Sequence, residues 1–149
     1  MALLELIEEK VVRVPLVAAS KPEVIAELVD VLDAAGLVKD RAGAIEAAME
    51  REALGSTGLE EGIAVPHGKT RAVDDLVLAI GVSPGGIDYG AMDGKPSRLF
   101  FLLLAPPDKA GPHLQALAEI ARMVRSASFC RALQSSRTPA EVVSLFKEG

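Results

Sequence analysis

Two stretches, Leu76–Val82 and Leu99–Ala105, are apolar at nearly every position instead of at alternate ones. A strand with one wet face alternates polar and apolar side chains, so continuous runs of this length predict interior strands covered on both faces. Helices are then required on two sides. Ser20-Lys21-Pro22-Glu23 is a strong helix start. The serine caps, the proline sits where its missing N–H costs nothing, and the glutamate reaches back in a capping box. Val24, Ile25, Leu28, Val29 and Leu32 continue at helical spacing to a stop at Gly36.

A second helix opens at Asp40, with Ile45, Ala48 and Met49 as its expected apolar stripe and Gly55 as its stop, which puts Arg51 in the last turn. Gly55–Gly62 is expected as loop, and Ile63–Val65 as a short extended piece ended by Pro66. Upstream, Lys10–Val14 is a β-branched segment after a short helical lead-in, closed by Pro15. Between the two apolar runs, Ser83–Ser97 is rich in Gly, Pro and Asp, which predicts a turn-rich connection with a short strand near Ile87–Tyr89 and a hairpin-like, antiparallel pairing of the runs.

After Pro106-Pro107-Asp108, Gly111-Pro112-His113 opens a helix with Leu114, Leu117, Ala118, Ala121 and Val124 on one expected inner face. A short helical piece follows near Phe129–Leu133, and Thr138-Pro139-Ala140-Glu141 starts a last helix to Phe146. About five helices and four or five strands in mixed order predict an α/β domain: a three-layer α/β/α sandwich with a small mixed central sheet flanked by helices.

Composition narrows the chemistry. The chain has 149 residues, 50% of them hydrophobic but only 3% aromatic. That is the size of one domain with an aliphatic core, and it offers few rings on which bases could stack. A net charge of −5 argues against nucleic acid or an anionic membrane as partner. Cys130 is the only cysteine, which excludes an internal disulfide and suits a buried structural thiol. Met1–Lys10 carries early acids and no basic segment before an apolar run, so no cleaved leader is expected. No apolar run approaches the roughly 20 residues of a spanning helix, so a cytoplasmic protein without direct membrane insertion is expected.

The unusual concentration of chemistry lies between Arg51 and Lys69. It holds His67, one of only two histidines, fixed between Pro66 and Gly68. A neutral imidazole keeps one nucleophilic lone pair at pH 7, and a phosphoryl group is a natural electrophile where cations and hydroxyls stand nearby. Arg51 has a simpler role as a cation at the negative end of its helix, worth about 0.3–1 kcal/mol. Its planar guanidinium also matches phosphoryl oxygens bidentately. Ser56 and Thr57 either satisfy turn backbone or donate to the same oxygens. His113 opens a helix, where the dipole disfavours its protonation and favours a nearby anion.

Gly62 to Thr70 ends like a P-loop in Gly68-Lys69-Thr70, but five residues separate its glycines where that motif needs four, and Pro66 removes a backbone donor. Nucleotide binding through Lys69 and Thr70 is the weaker alternative. Gly55-Ser56-Thr57-Gly58 lacks the spacing of a nucleophile elbow, and two distant histidines among scattered acids carry no metal-ligand signature.

Taken in order, Arg51-Glu52, Ser56-Thr57-Gly58, Gly62-Ile63-Ala64-Val65-Pro66-His67 and His113-Leu114 with Leu117-Ala118 resemble the enzyme IIA domains of the fructose–mannitol type in the bacterial phosphoenolpyruvate:sugar phosphotransferase system, including their nitrogen-regulatory relatives. The resemblance spans essentially the whole chain and implies that residues 1–149 form a single enzyme IIA domain. It further implies that His67 accepts a phosphoryl group from the phosphocarrier HPr, or its nitrogen-branch equivalent, and passes it to a IIB cysteine. Arg51 and His113 are implied as active-site partners, with no metal, nucleotide or other cofactor. The alternative within the family is a nitrogen-regulatory type, in which phosphorylation of His67 switches binding to a regulatory protein. Glu60 and Glu61 depart from the smaller or neutral residues expected in this loop, which bears on partner choice.

Overall fold

The computed structural model describes Ala2–Glu148; Met1 and Gly149, the ends of the expected domain, lie outside the described residues. Its frame is an antiparallel pair of long strands, β4 (Val77–Ile87) and β5 (Ser97–Ala105). Leu78 lies opposite Leu103 and Ile80 opposite Phe101, as the two apolar runs predict. A register shift between Val82 and Ile87 absorbs Ser83–Gly86, so the short strand expected near Ile87–Tyr89 is the far end of β4 itself.

Strand β1 (Val12–Arg13) adds to the outer edge of β4 in parallel. On the other side, β2 (Ile63–Ala64) and β3 (His67–Lys69) both run parallel to β5. They form one interrupted edge strand, broken at Val65–Pro66. A proline that cannot donate to a ladder is tolerated on an edge, and the Pro66 carbonyl still accepts from Leu103 N–H at 3.0 Å. The sheet is therefore mixed, and His67 belongs to it instead of merely following it.

Among the described residues, six α-helices cover its two faces. On one lie α2 (Lys21–Ala34) and α3 (Arg41–Ala53), packed on Ala79, Phe100, Leu102 and Leu104. On the other lie α1 (Ala2–Glu5), α4 (Ala110–Met123), α5 (Ala127–Gln134) and α6 (Pro139–Glu148), packed on Ile80, Leu99, Phe101 and Leu103. Successive residues of β4 and β5 thus feed opposite cores. Each buried Leu, Ile or Phe in such runs contributes roughly 1.5–3 kcal/mol. The architecture is the expected three-layer sandwich.

The helix starts are built as their sequences predict, with small differences. Ser20 accepts from Glu23 N–H at 3.4 Å, while the Glu23 carboxylate reaches one residue further back, to Ala19 N–H at 2.8 Å. Asp40 accepts from Gly43 N–H at 3.1 Å, and Thr138 from Glu141 N–H at 3.1 Å. Gly36 ends α2 with φ +77°, the left-handed stop. Cys130 is buried in the second core.

Two apolar stripes differ from expectation. In α3 the fully buried positions are Ala44, Ala48 and Glu52, with Ile45 and Met49 only flanking. In α4 they are His113, Ala116 and Ile120, while Leu114 is 71% exposed and Ala118 and Ala121 face solvent. Periodicity favoured the larger apolar side chains in both helices. Close approach to the sheet instead selects small ones. A Cβ built on Gly68 of β3 would come within 3.0 Å of the Ala47 carbonyl oxygen, so the α3 backbone lies almost against that strand.

This contact sets where Arg51, at the end of α3, stands relative to His67. Gly68→Ala should push the two elements apart and cost about 1–3 kcal/mol, read as a lowered thermal midpoint. A midpoint equal to that of the unaltered chain would show the contact to be loose.

Candidate functional site

At its C-terminal end α3 delivers Arg51, whose Nη1 donates to the Gly55 carbonyl at 2.9 Å, and Gly55 turns the chain with φ +152°. The segment that follows folds back on itself. Leu59 N–H donates to Ile63 O at 2.7 Å and Val65 N–H to Thr57 O at 3.0 Å, around a tip in which Glu61 (φ +62°) and Gly62 (φ +79°) are both left-handed. Glu61 is held there by its N–H on Asp93 and by Gln134 Nε2 on its carbonyl, at 3.1 and 3.0 Å. The hairpin brings Ser56 and Thr57 alongside Val65 and His67.

His67 opens β3 half-buried, with Nδ1 2.8 Å from the Val65 carbonyl oxygen. A carbonyl only accepts, so Nδ1 carries the proton and donates. The tautomer follows: Nε2 keeps the lone pair and is the nucleophilic atom. His113, from the first turns of α4, lies with its ring centroid 5.7 Å from that of His67 and its plane turned by 71°. It is 4% exposed, and its Nε2 is buried without a hydrogen-bond partner. Burial above all, then the neighbouring His67 and Lys69, hold its pKa below the ordinary imidazole value. His113 is therefore neutral at pH 7.

Arg51, Ser56, Thr57, Val65, His67 and Leu117 line a depression of about 190 Å³, with Leu59, Ile120 and Ala121 completing its wall. His113 stands beside it, not in its lining. No ion pair compensates Arg51 among the described residues. A half-buried cation without a carboxylate, next to a nucleophilic nitrogen, suits an anionic electrophile such as a phosphoryl group. Larger depressions of about 350 and 430 Å³ lie away from here, around Leu4, Met123 and Phe146, and hold no histidine. Size alone does not locate the chemistry.

The five residues singled out in the sequence thus converge, though with different freedom. Ser56 is exposed, and its hydroxyl donates to the Tyr89 carbonyl at a long 3.4 Å while accepting from Gly58 N–H at 3.1 Å. Thr57 is 5% exposed and turned inward, its hydroxyl bonded to Glu52 Oε2. Glu52, Lys21 and Tyr89 behind the loop are contributors that sequence reasoning did not assign. The only local signal was an acid on the inner side of α3. Glu60 and Glu61 are exposed at the hairpin tip and line a separate depression with Ile63, Met92 and Val124.

The P-loop-like tail does not form a phosphate cradle. Gly68 and Lys69 are paired in β3, and Thr70 N–H donates to Ala105 O at 2.8 Å, so this backbone serves the sheet and not a phosphate cradle. Among the described residues, no cluster of three His, Cys, Asp or Glu side chains could hold a metal ion, and no helix is long and apolar enough to cross a membrane.

Fold and site together define a class: an α/β/α protein with an imidazole at a sheet edge beside a guanidinium that no carboxylate pairs among the described residues. A family model for the phosphoenolpyruvate-dependent sugar phosphotransferase system, EIIA 2, matches residues 5–149, and the chain belongs to that family. It is 32% identical over 148 residues to the fructose-specific EIIABC component of Bacillus subtilis, covering 99% of this chain and 23% of that protein. The fructose-specific EIIA component of Haloferax volcanii is 42% identical over 104 residues, 70% of this chain and 68% of that one. Among solved structures, the nitrogen regulatory protein IIA-Ntr from Neisseria meningitidis superposes with a TM-score of 0.87 at 29% identity, covering 97% of this chain and 99% of that one.

The depressed His113 pKa has a thermodynamic consequence. The folded chain holds fewer protons on this ring than the unfolded chain, so its contribution is fully present above the unfolded value of about 6.5 and declines as pH falls below it. The stability difference between the native chain and His113→Asn should therefore shrink from pH 7 to pH 5 in denaturant titrations. A constant difference would show that His113 titrates normally.

Proposed function

We propose that the chain is a phosphohistidine carrier of the phosphotransferase system. His67 Nε2 attacks the phosphorus of phosphorylated HPr, or its nitrogen-branch equivalent, in line. The new N–P bond forms as the donor's N–P bond breaks, and the donor imidazole leaves with its lone pair restored. No proton need move on His67, because Nδ1 already carries one and keeps it on Val65. The second step reverses the roles: a cysteine thiolate of a IIB domain attacks, an S–P bond forms, and His67 departs as the neutral imidazole.

The observation that carries this reading is the 2.8 Å contact from His67 Nδ1 to Val65 O, which leaves Nε2 free beside an uncompensated Arg51. Arg51 stabilises charge on the transferring oxygens. Neutral His113 donates to them from its buried side, and a donor with no protein partner suits that task. Ser56 is the hydroxyl with freedom to assist. The reading treats residues 1–149 as one enzyme IIA domain working in the cytoplasm, with protein partners and no nucleic acid.

A second reading keeps the same chemistry but changes its purpose. The similarity to a nitrogen regulatory protein over nearly the full length of both chains favours a switch, in which phosphorylated His67 alters binding to a regulatory protein. The added charge of about −1.5 to −2 would be the switch. Glu60 and Glu61 line a separate depression that shares only Leu59 with the one at His67. Transfer to a IIB domain separates the two readings.

Incubation with labelled phosphoenolpyruvate, enzyme I and HPr should give one acid-labile phosphate on the chain, lost in His67→Ala. Label persisting in that variant would sink the assignment. Arg51→Ala should slow transfer by roughly 10²–10³-fold, as for one preorganised donor. An unchanged rate would return Arg51 to a helix-end role.

A further inference from the structure

An ionised side chain buried behind the phosphoryl loop is left unused by the reaction just described. Glu52 is 7% exposed, and a buried acid in a helix persists only when it is paired. Here its partners come from three separate places. Lys21, in the first turn of α2, puts Nζ 3.0 Å from Oε1 and lies 4.7 Å over the Tyr89 ring. Thr57 commits both of its donors, its N–H to Oε1 at 3.2 Å and its hydroxyl to Oε2. The Tyr89 hydroxyl donates to Oε2 at 3.0 Å, from a ring that is 1% exposed. Burial opposes ionisation of Glu52, but the hydrogen bonds from Thr57, Lys21 and Tyr89 outweigh it and hold its pKa low.

These bonds converge on one segment, residues 55–58. Arg51 grips it through the Gly55 carbonyl, Ser56 belongs to it, and Lys21 Nζ also lies 3.5 Å from Ser56 Oγ. Stability alone does not account for such an arrangement, because apolar groups of similar volume often serve a core as well as a buried ion pair. Order in the loop does. A backbone segment with its donors tied to a fixed carboxylate presents the same geometry at each turnover.

We propose that Glu52 is a positioning residue for phosphoryl transfer at His67, fixing residues 55–58 through Thr57 with Lys21 and Tyr89 as its supports. The proposal rests on His67 being the acceptor. It reassigns Thr57: with its hydroxyl and N–H both spent on Glu52, it orders the loop and does not donate to the phosphoryl group.

Glu52→Gln tests it with almost no change of shape. The amide removes the charge opposite Lys21 and replaces one acceptor oxygen by a group that only donates. Turned toward the Oε1 position it opposes Lys21 and the Thr57 N–H; turned toward Oε2 it leaves the Thr57 and Tyr89 hydroxyls to rotate and accept, without the carboxylate oxygen both now donate to. With phosphorylated HPr as donor, the saturated rate should fall about 10–100-fold, the loss expected for a hydrogen bond to a charged group. The half-saturating donor concentration should hold, and the melting temperature should move by only a few degrees. Thr57→Val should lose rate similarly, and Thr57→Ser should recover most of that loss by restoring the hydroxyl. Amide hydrogen exchange at Thr57 and Gly58 should accelerate roughly tenfold in Glu52→Gln. If that variant fails to fold, Tyr89→Phe, which keeps the ring, should show a smaller loss of rate and faster exchange at Thr57. A Glu52→Gln rate within twofold of the native chain, a Thr57→Val loss that Thr57→Ser does not recover, or unchanged exchange would overturn the proposal. If the native chain takes no phosphoryl group, the carrier reading fails, while exchange still decides whether Glu52 orders the loop.

Discussion

Neither face of the β4–β5 pair can meet water, because side chains from Val77 to Val82 and from Leu99 to Ala105 are buried on both sides of the sheet. Two hydrophobic cores are therefore obligatory, and each must be closed by helices. The order of helices along the chain supplies them in two groups, α2 with α3 and α1 with α4 to α6. The side chains around His67 then come from both groups. Arg51 descends from one layer and His113 from the other, and they meet at the sheet edge where β3 ends the sandwich. A site assembled from both layers cannot form until the central pair is covered.

The edge position suits the chemistry. His67 is half-buried on a strand whose pairing with Leu103 fixes its backbone, and the Val65 carbonyl fixes its tautomer. The interruption at Pro66 lets the same edge strand make a ladder before and after the break while placing the Val65 carbonyl against the ring two residues on. Burial keeps His113 neutral and lets Arg51 supply the positive charge. Burying a neutral imidazole costs less than burying a cation, which is why the buried ring of the pair is the one held uncharged.

Small residues decide how tightly the layers close. Ala48 and Gly68 let α3 approach the edge strand, and in α4 the small Ala116 is buried in the second core. The helices thereby turn faces toward the sheet that a count of large apolar side chains does not select. Leu114 is left 71% exposed beside the buried His113, and Glu52 is drawn inside among its hydrogen-bond partners. Both outcomes come from the same competition between apolar area and distance of approach, which only the assembled layers resolve.

By itself the sequence determined the sandwich, its interior strands, most helix boundaries and the residues where chemistry is concentrated. Those signals are local: continuous apolar runs, caps at Ser20, Asp40 and Thr138, and glycines at stops. It also set Arg51, Ser56, Thr57 and His67 close along one segment, and the resemblance brought in His113 from far away in the chain. Tertiary structure decided the rest. The strand character of His67, its tautomer, the inward turn of Thr57 and the Lys21–Glu52–Tyr89 cluster all depend on groups that share no periodicity with one another. Hydrogen-bond direction and burial are properties of neighbours in space, and for these residues the neighbours are as distant in sequence as Lys21 and Tyr89.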